Sequence, residues 1–185
     1  MLIYAFCPNW KCLSITMLLI LADTAIFIAE AVYGIEKSGD LLQISIDSLV
    51  KFGANSGDLV HQGQVYRLVS AIFAHVTFVH YIGNIFSTFI LVTRIEHSIG
   101  QIAILLVYLL CGIGGNIFSI AVDSNHYYGV KAGASTALFG MIGVILGYLI
   151  INWEGLSQVG EGMRCRIACQ FFFLLIFVLI FTPSK

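Results

Sequence analysis

The amino-acid sequence predicts an all-α fold, a polytopic transmembrane helical bundle, and three observations carry that expectation. The chain of 185 residues is 59% hydrophobic and only 10% charged, with mean hydropathy +0.95. A soluble domain is about half apolar and about a quarter charged. Apolar runs of bilayer-crossing length recur along the chain. Both prolines, Pro8 and Pro183, fall outside those runs. So little charge cannot cover a surface facing water, which makes the lipid bilayer the first partner. A net charge of −1 gives no basis for a nucleic-acid partner.

Five spans are expected, over 13–32, 70–92, 102–122, 135–151 and 167–181. Backbone polar groups find no water in lipid, so each run must be a helix. A short tail, 1–12, precedes this transmembrane domain of 13–182, and 183–185 follow it. The first run is a poor signal peptide, because its apolar core is long and Lys11 is the only charge ahead of it. The stretch 34–68 is too long for a simple connector. Within it, Leu41-Leu42-Gln43-Ile44-Ser45-Ile46 mixes polar and apolar residues, a pattern that suits a partly helical segment lying in the membrane interface. With a cytoplasmic N-terminus, Lys11, Arg94, Arg164 and Arg166 lie inside, and Lys37, Lys51, Arg67, Lys131 and Lys185 outside. The short connections after spans two and four then carry arginine on the inside.

Five cysteines form no disulfide framework and no zinc-ligand spacing. Cys111 falls within a span as a small buried hydrophobe. Cys7 with Cys12, and Cys165 with Cys169, flank membrane segments, where reversible acylation is open to them. No metal or cofactor is called for.

Polar groups inside spans are costly and need a partner or a role. The second span carries His75, His80 and Asn84. His80 and Asn84, four apart, share a helix face, and a hydrogen-bonded interhelical cluster would account for them. The fourth span opens Ala132-Gly133-Ala134-Ser135. A serine there can be a simple N-cap. The same place also suits a nucleophile, since backbone N–H groups and the positive helix end favour an oxyanion. Gly140, Gly143 and Gly147 form a stripe, and Gly112, Gly114 and Gly115 a second group, both suited to close helix packing. They point to a tight bundle with the fourth span near its centre. Asp23 and Glu30 share a face of the first span, where they suit either a structural pairing or an ion path.

These residues together resemble the rhomboid family of intramembrane serine proteases. Gly63-Gln64-Val65-Tyr66-Arg67-Leu68 looks like the family's Trp-Arg signature, with Tyr66 in place of Trp. His75, His80 and Asn84 match its histidine-rich second helix, and Gly133-Ala134-Ser135 its Gly-x-Ser motif. Phe139 fits a position where the family often has an aromatic. The resemblance implies an intramembrane serine endopeptidase that cleaves transmembrane segments of membrane proteins without a cofactor. Ser135 would be the nucleophile. His80, Asn84 and the Ser135 amide would hold the oxyanion. His75, Arg67, Gly133 and Phe139 would support the site, with Arg67 anchoring the first loop.

Two departures stand out. Thr136 replaces the family's Gly or Ala and is expected to crowd the oxyanion site. The family's base, a histidine on a sixth helix, has no counterpart: His61, His97 and His126 are poorly placed for it. The sequence is therefore expected to be an incomplete form of a longer protease whose missing helix docks on the glycine stripe. The alternatives are a non-catalytic relative that binds transmembrane segments, and a small transporter using Asp23 and Glu30. The expected location is a multi-pass protein of the secretory pathway or plasma membrane rather than of mitochondria.

Overall fold

The structure, a computed structural model, describes residues 14–37, 40–122, 129–160 and 162–181. The expected tail at 1–12, with Cys7 and Cys12, and His126 and the end at 183–185 lie outside the described residues. Nine helices are found among those described: α1 Ile15–Tyr33, α2 Ile46–Lys51, α3 Gly57–His61, α4 Arg67–Ser70, α5 Phe78–Ile99, α6 Gln101–Val122, α7 Ser135–Ile151, α8 Trp153–Val159 and α9 Met163–Phe181. Helices α1, α5 and α6 are long and apolar enough to cross a membrane. Helix α7 is apolar but shorter, at 17 residues, and α9 has 19. The protein is an integral membrane helical bundle.

Several boundaries differ from the sequence expectation: the second span runs on to Ile99 rather than 92, and the fifth starts at Met163 rather than 167. The second long helix starts at Phe78 rather than at residue 70, because Thr77 caps it: its backbone is extended and its side chain accepts from the His80 N–H. His75 therefore sits ahead of α5 and not on it. The stretch 41–45 is not helical. Ile44 bridges Ile35 in antiparallel fashion, and Ser45 then caps α2. The first loop does hold helices, but they are α2, α3 and α4, further along the chain.

Helix α5 packs on α1, α6, α7 and α9, and α7 packs on α5, α6 and α9. The second span thus shares the centre with the fourth. Leu91, Val92, Ile104, Tyr108, Ala137, Leu138 and Met141 form their common core. Glycine permits the close approach of α6 and α7. A Cβ on Gly112 would run into Ile72, one on Gly115 would lie 2.9 Å from the Thr136 Cβ, and one on Gly140 would meet Cys111. Gly114, Gly143 and Gly147 face no atom within 4 Å.

Helix α1 is tied to α5 by a carboxylate. Buried Glu96 accepts from the Ile15 N–H (2.9 Å), the Thr16 N–H (3.0 Å) and the Thr16 hydroxyl. First-turn N–H groups have no helical partner, and a negative charge favours that end of the helix. Glu96→Ala would leave these donors buried and unpaired. Hydrogen bonds to a charged group contribute about 1.5–3 kcal/mol, so a destabilisation of about 2 kcal/mol is expected. Unfolding in detergent micelles, with Glu96→Gln as the milder control, reads it directly.

Candidate active site

The site begins with an extended segment leading into α7. Its backbone polar groups have no helix to satisfy them, and the first loop does so instead. Asn55 and Lys131 exchange hydrogen bonds as an antiparallel bridge, at 2.7 and 2.9 Å. The Gly133 N–H donates to the Ala71 carbonyl at 2.9 Å. Ser135 follows as the first residue of α7, and the cap is Ala134, which offers no side-chain hydrogen bond. The Ser135 hydroxyl is therefore not used up as an N-cap.

Gly133 adopts φ +137°, which L side chains rarely take, and its open side is filled by α5. A Cβ there would lie 3.0 Å from His80 Nε2 and 3.3 Å from Asn84 Nδ2. The Gly-x-Ser turn and the His-x-x-x-Asn face are thus in contact. Neither ring nitrogen of His80 nor Asn84 Nδ2 has a hydrogen-bond partner among the described residues, although both residues are 4% exposed. Buried donors left unspent at one place are costly, and they suit a ligand oxygen.

His80, Gly133, Ser135, Thr136 and Phe139 line one cavity of about 490 Å³. Its wall is completed by Asp40, Gln43, Val76, Thr77, Asn116, Ser119, Val130, Lys131 and Ala132. Thr136 fits because α6 offers a glycine beside it, Gly115. The Thr136 side chain also lines the cavity beside Ser135.

His75 stands behind His80, fully buried, with ring centroids 5.7 Å apart. Its backbone N–H donates to Glu30 Oε2 (3.1 Å), and its ring Nδ1 pairs with the Phe73 carbonyl (3.1 Å). Glu30 also ties the first loop to α1, because its carbonyl accepts from the Ser48 hydroxyl at 2.9 Å. Arg67 is buried inside the loop. Its guanidinium donates to the carbonyls of Val50 (2.9 Å) and Ala54 (3.0 Å) and to Gln64 Oε1 (2.8 Å). It holds the loop that in turn holds Lys131 and Gly133. His61 pairs with the Gly57 carbonyl on the exposed loop, and His97 lies near the far end of α5. Ser135 has no hydrogen bond to a histidine among the described residues.

Sequence reasoning missed Asn116, whose side-chain amide donates to the Leu68 carbonyl at 2.9 Å and which lines the cavity. An Asn within an apolar run was the available signal. Asp40, Gln43 and Lys131 gave no comparable signal. No group of three or more His, Cys, Asp or Glu able to hold a metal occurs among the described residues.

The rhomboid-domain family model matches residues 62–185. RHOMBOID-like protein 5 of Arabidopsis thaliana is 39% identical over 63% of this chain and 38% of its own length. Rhomboid-like protease 2 of Toxoplasma gondii is 30% identical over 90% of this chain and 58% of its own. Rhomboid protease GluP of Bacillus subtilis is 34% identical over 57% of this chain and 20% of its own. This chain spans well under two thirds of each of these relatives. No solved structure matches it at comparable significance.

Gly133→Ala tests the contact at the heart of the site. The added methyl must displace both His80 and Asn84, on a backbone only glycine takes easily. Overpacking of this kind costs about 1–3 kcal/mol. Lower thermal stability in detergent is expected for Gly133→Ala, whereas Gly114→Ala, which meets open space, should not lower it.

Proposed function

Because the chain belongs to the rhomboid family, we propose that it carries the nucleophile and oxyanion site of an intramembrane serine endopeptidase whose substrates are transmembrane segments of membrane proteins. The observation that carries this reading is the contact of Gly133 with His80 and Asn84, beside a serine that opens a helix into a cavity lined also by His80 and Gly133. The serine hydroxyl would attack the scissile carbonyl to form an acyl-enzyme. The carbonyl oxygen, now negative, would take hydrogen bonds from the Ser135 N–H, His80 and Asn84. These donors are fixed before substrate arrives, so little reorganisation accompanies the reaction. Arg67 acts at a distance, as a positioning residue for the loop.

Serine is a weak nucleophile without a base. In this reading the base is a histidine on a further helix, and that helix packs on α7 along Gly143 and Gly147, which face open space. A second reading, a relative that binds transmembrane segments without cutting them, is favoured by the lack of a histidine hydrogen-bonded to Ser135 among the described residues.

The two readings part in one assay. The full-length protein would be reconstituted with a tagged single-span substrate, and both cleavage and capture of the substrate followed. The protease reading expects Ser135→Ala to abolish cleavage while substrate is still captured. Asn84→Ala should lower turnover by roughly 10²–10³, the usual cost of losing one oxyanion donor. Capture without cleavage by the unaltered protein would establish the binding reading instead. Full activity of Asn84→Ala would remove that residue from the oxyanion site.

A further inference from the structure

Cys165 and Cys169 open the first turns of α9, both exposed, with sulfurs 3.9 Å apart. Four residues apart, they share a helix face. The same face continues as Phe172, Phe173 and Ile176, which are 59%, 62% and 56% exposed. On a membrane helix, large apolar side chains that point out of the bundle meet lipid. The two thiols therefore head a lipid-facing stripe rather than a packed seam.

Their depth is marked by what surrounds them. Arg164 donates through Nε to the Trp153 carbonyl (2.5 Å) and through its second nitrogen to the Glu154 carbonyl (3.4 Å), and its guanidinium lies 4.9 Å from the Trp153 ring. Trp and Arg together mark the headgroup level of a bilayer. This end of the bundle is opposite the Ser135 cavity, since α7 starts at the cavity and α9 starts beyond its far end. The first turn of α9, just after its short connection from α8, carries both Arg164 and Arg166, and basic residues beside short connections mark the cytoplasmic side.

We propose that Cys165 and Cys169 form a paired S-acylation site, modified by long-chain acyl-CoA from the cytoplasmic side. The cysteine sulfur attacks the thioester carbonyl. A new carbon–sulfur bond forms, the bond to coenzyme A breaks, and free coenzyme A leaves carrying the cysteine's proton, with no net oxidation or reduction. The chain attached at Cys169 would run along Phe172, Phe173 and Ile176, about 10 Å of helix at 1.5 Å per residue. A disulfide between the two is disfavoured by the helix, because the sulfurs would have to close from 3.9 Å to about 2.05 Å. The inference does not rest on the protease reading.

Acyl exchange on the full chain in eukaryotic cell membranes tests it, in a Cys7→Ser/Cys12→Ser background. Free thiols are blocked under denaturing conditions, thioesters are cleaved with hydroxylamine, and the released thiols are tagged with a maleimide polymer. The expected result is a hydroxylamine-dependent shift of up to two tags. Cys165→Ser or Cys169→Ser should reduce it to one, the double variant should abolish it, and Cys111→Ser should keep it. Peptide mass spectrometry of the unsubstituted chain locates the acyl group even if the double variant fails to fold. Tagging that needs no hydroxylamine but requires a phosphine reductant would show a disulfide and overturn the proposal. So would a complete lack of hydroxylamine-dependent tags, or a shift that survives in the double variant.

Discussion

The bridge between Asn55 and Lys131 is the interaction on which the rest of the site depends. Residues 129–133 lie outside any helix within a helical bundle, and non-helical backbone in or near a bilayer must find partners within the protein. The first loop supplies them at Lys131 and again at Gly133, through the Ala71 carbonyl. Only with that segment held straight does α7 begin at Ser135, with the glycine ahead of it pressed on α5. The loop is held in its turn by Arg67, which gathers the Val50 and Ala54 carbonyls, and by Ser48, which reaches the α1 backbone at Glu30.

Buried polar groups in this protein fall into two kinds. Glu96, Asn116 and Arg67 are engaged with backbone groups of other elements, and each joins parts of the chain that no continuous helix could join. His80 and Asn84 are buried just as deeply yet leave nitrogen atoms unpaired. A side chain kept only for packing would be replaced by a hydrophobe at lower cost. Orphaned polar atoms also occur away from the cavity, on Tyr108, Thr88 and Thr93, so what marks His80 and Asn84 is that their free nitrogens meet at Gly133. Asp23 belongs with neither: both of its oxygens are buried without a partner, and it sits apart from the cavity on α1. Among the described residues it is the one carboxylate within a span for which packing supplies no hydrogen bond.

Much of this was legible in the sequence. Apolar run length located α1, α6 and α7 to within two residues at each end. The spacing of His80 and Asn84, and the Gly-x-Ser turn, named the residues that meet in space. The start of α5 was misplaced because 70–77 is as apolar as the helix that follows, and only the extended backbone at Thr77 ends the ambiguity. The first loop was opaque for a different reason. Its order comes from backbone hydrogen bonds to distant segments, and such bonds leave no mark on residue type. Asp40, Gln43 and Lys131 reach the cavity through that loop geometry, so nothing in their local spacing announced them. That Thr136 packs against Gly115, twenty-one positions earlier on another helix, likewise left no local mark in the sequence.

The order of the parts along the chain bears on how the protein is made. The loop held by Arg67 leaves the ribosome first, the His80 and Asn84 helix next, and the serine turn last. A nascent chain thus has its cradle inserted before the residue it receives. Until Gly133 arrives, the place it will occupy against His80 and Asn84 is unfilled, and the first loop has no strand to bridge. The half-made protein is therefore exposed, at one known spot, to the membrane machinery that shelters or discards unfinished bundles.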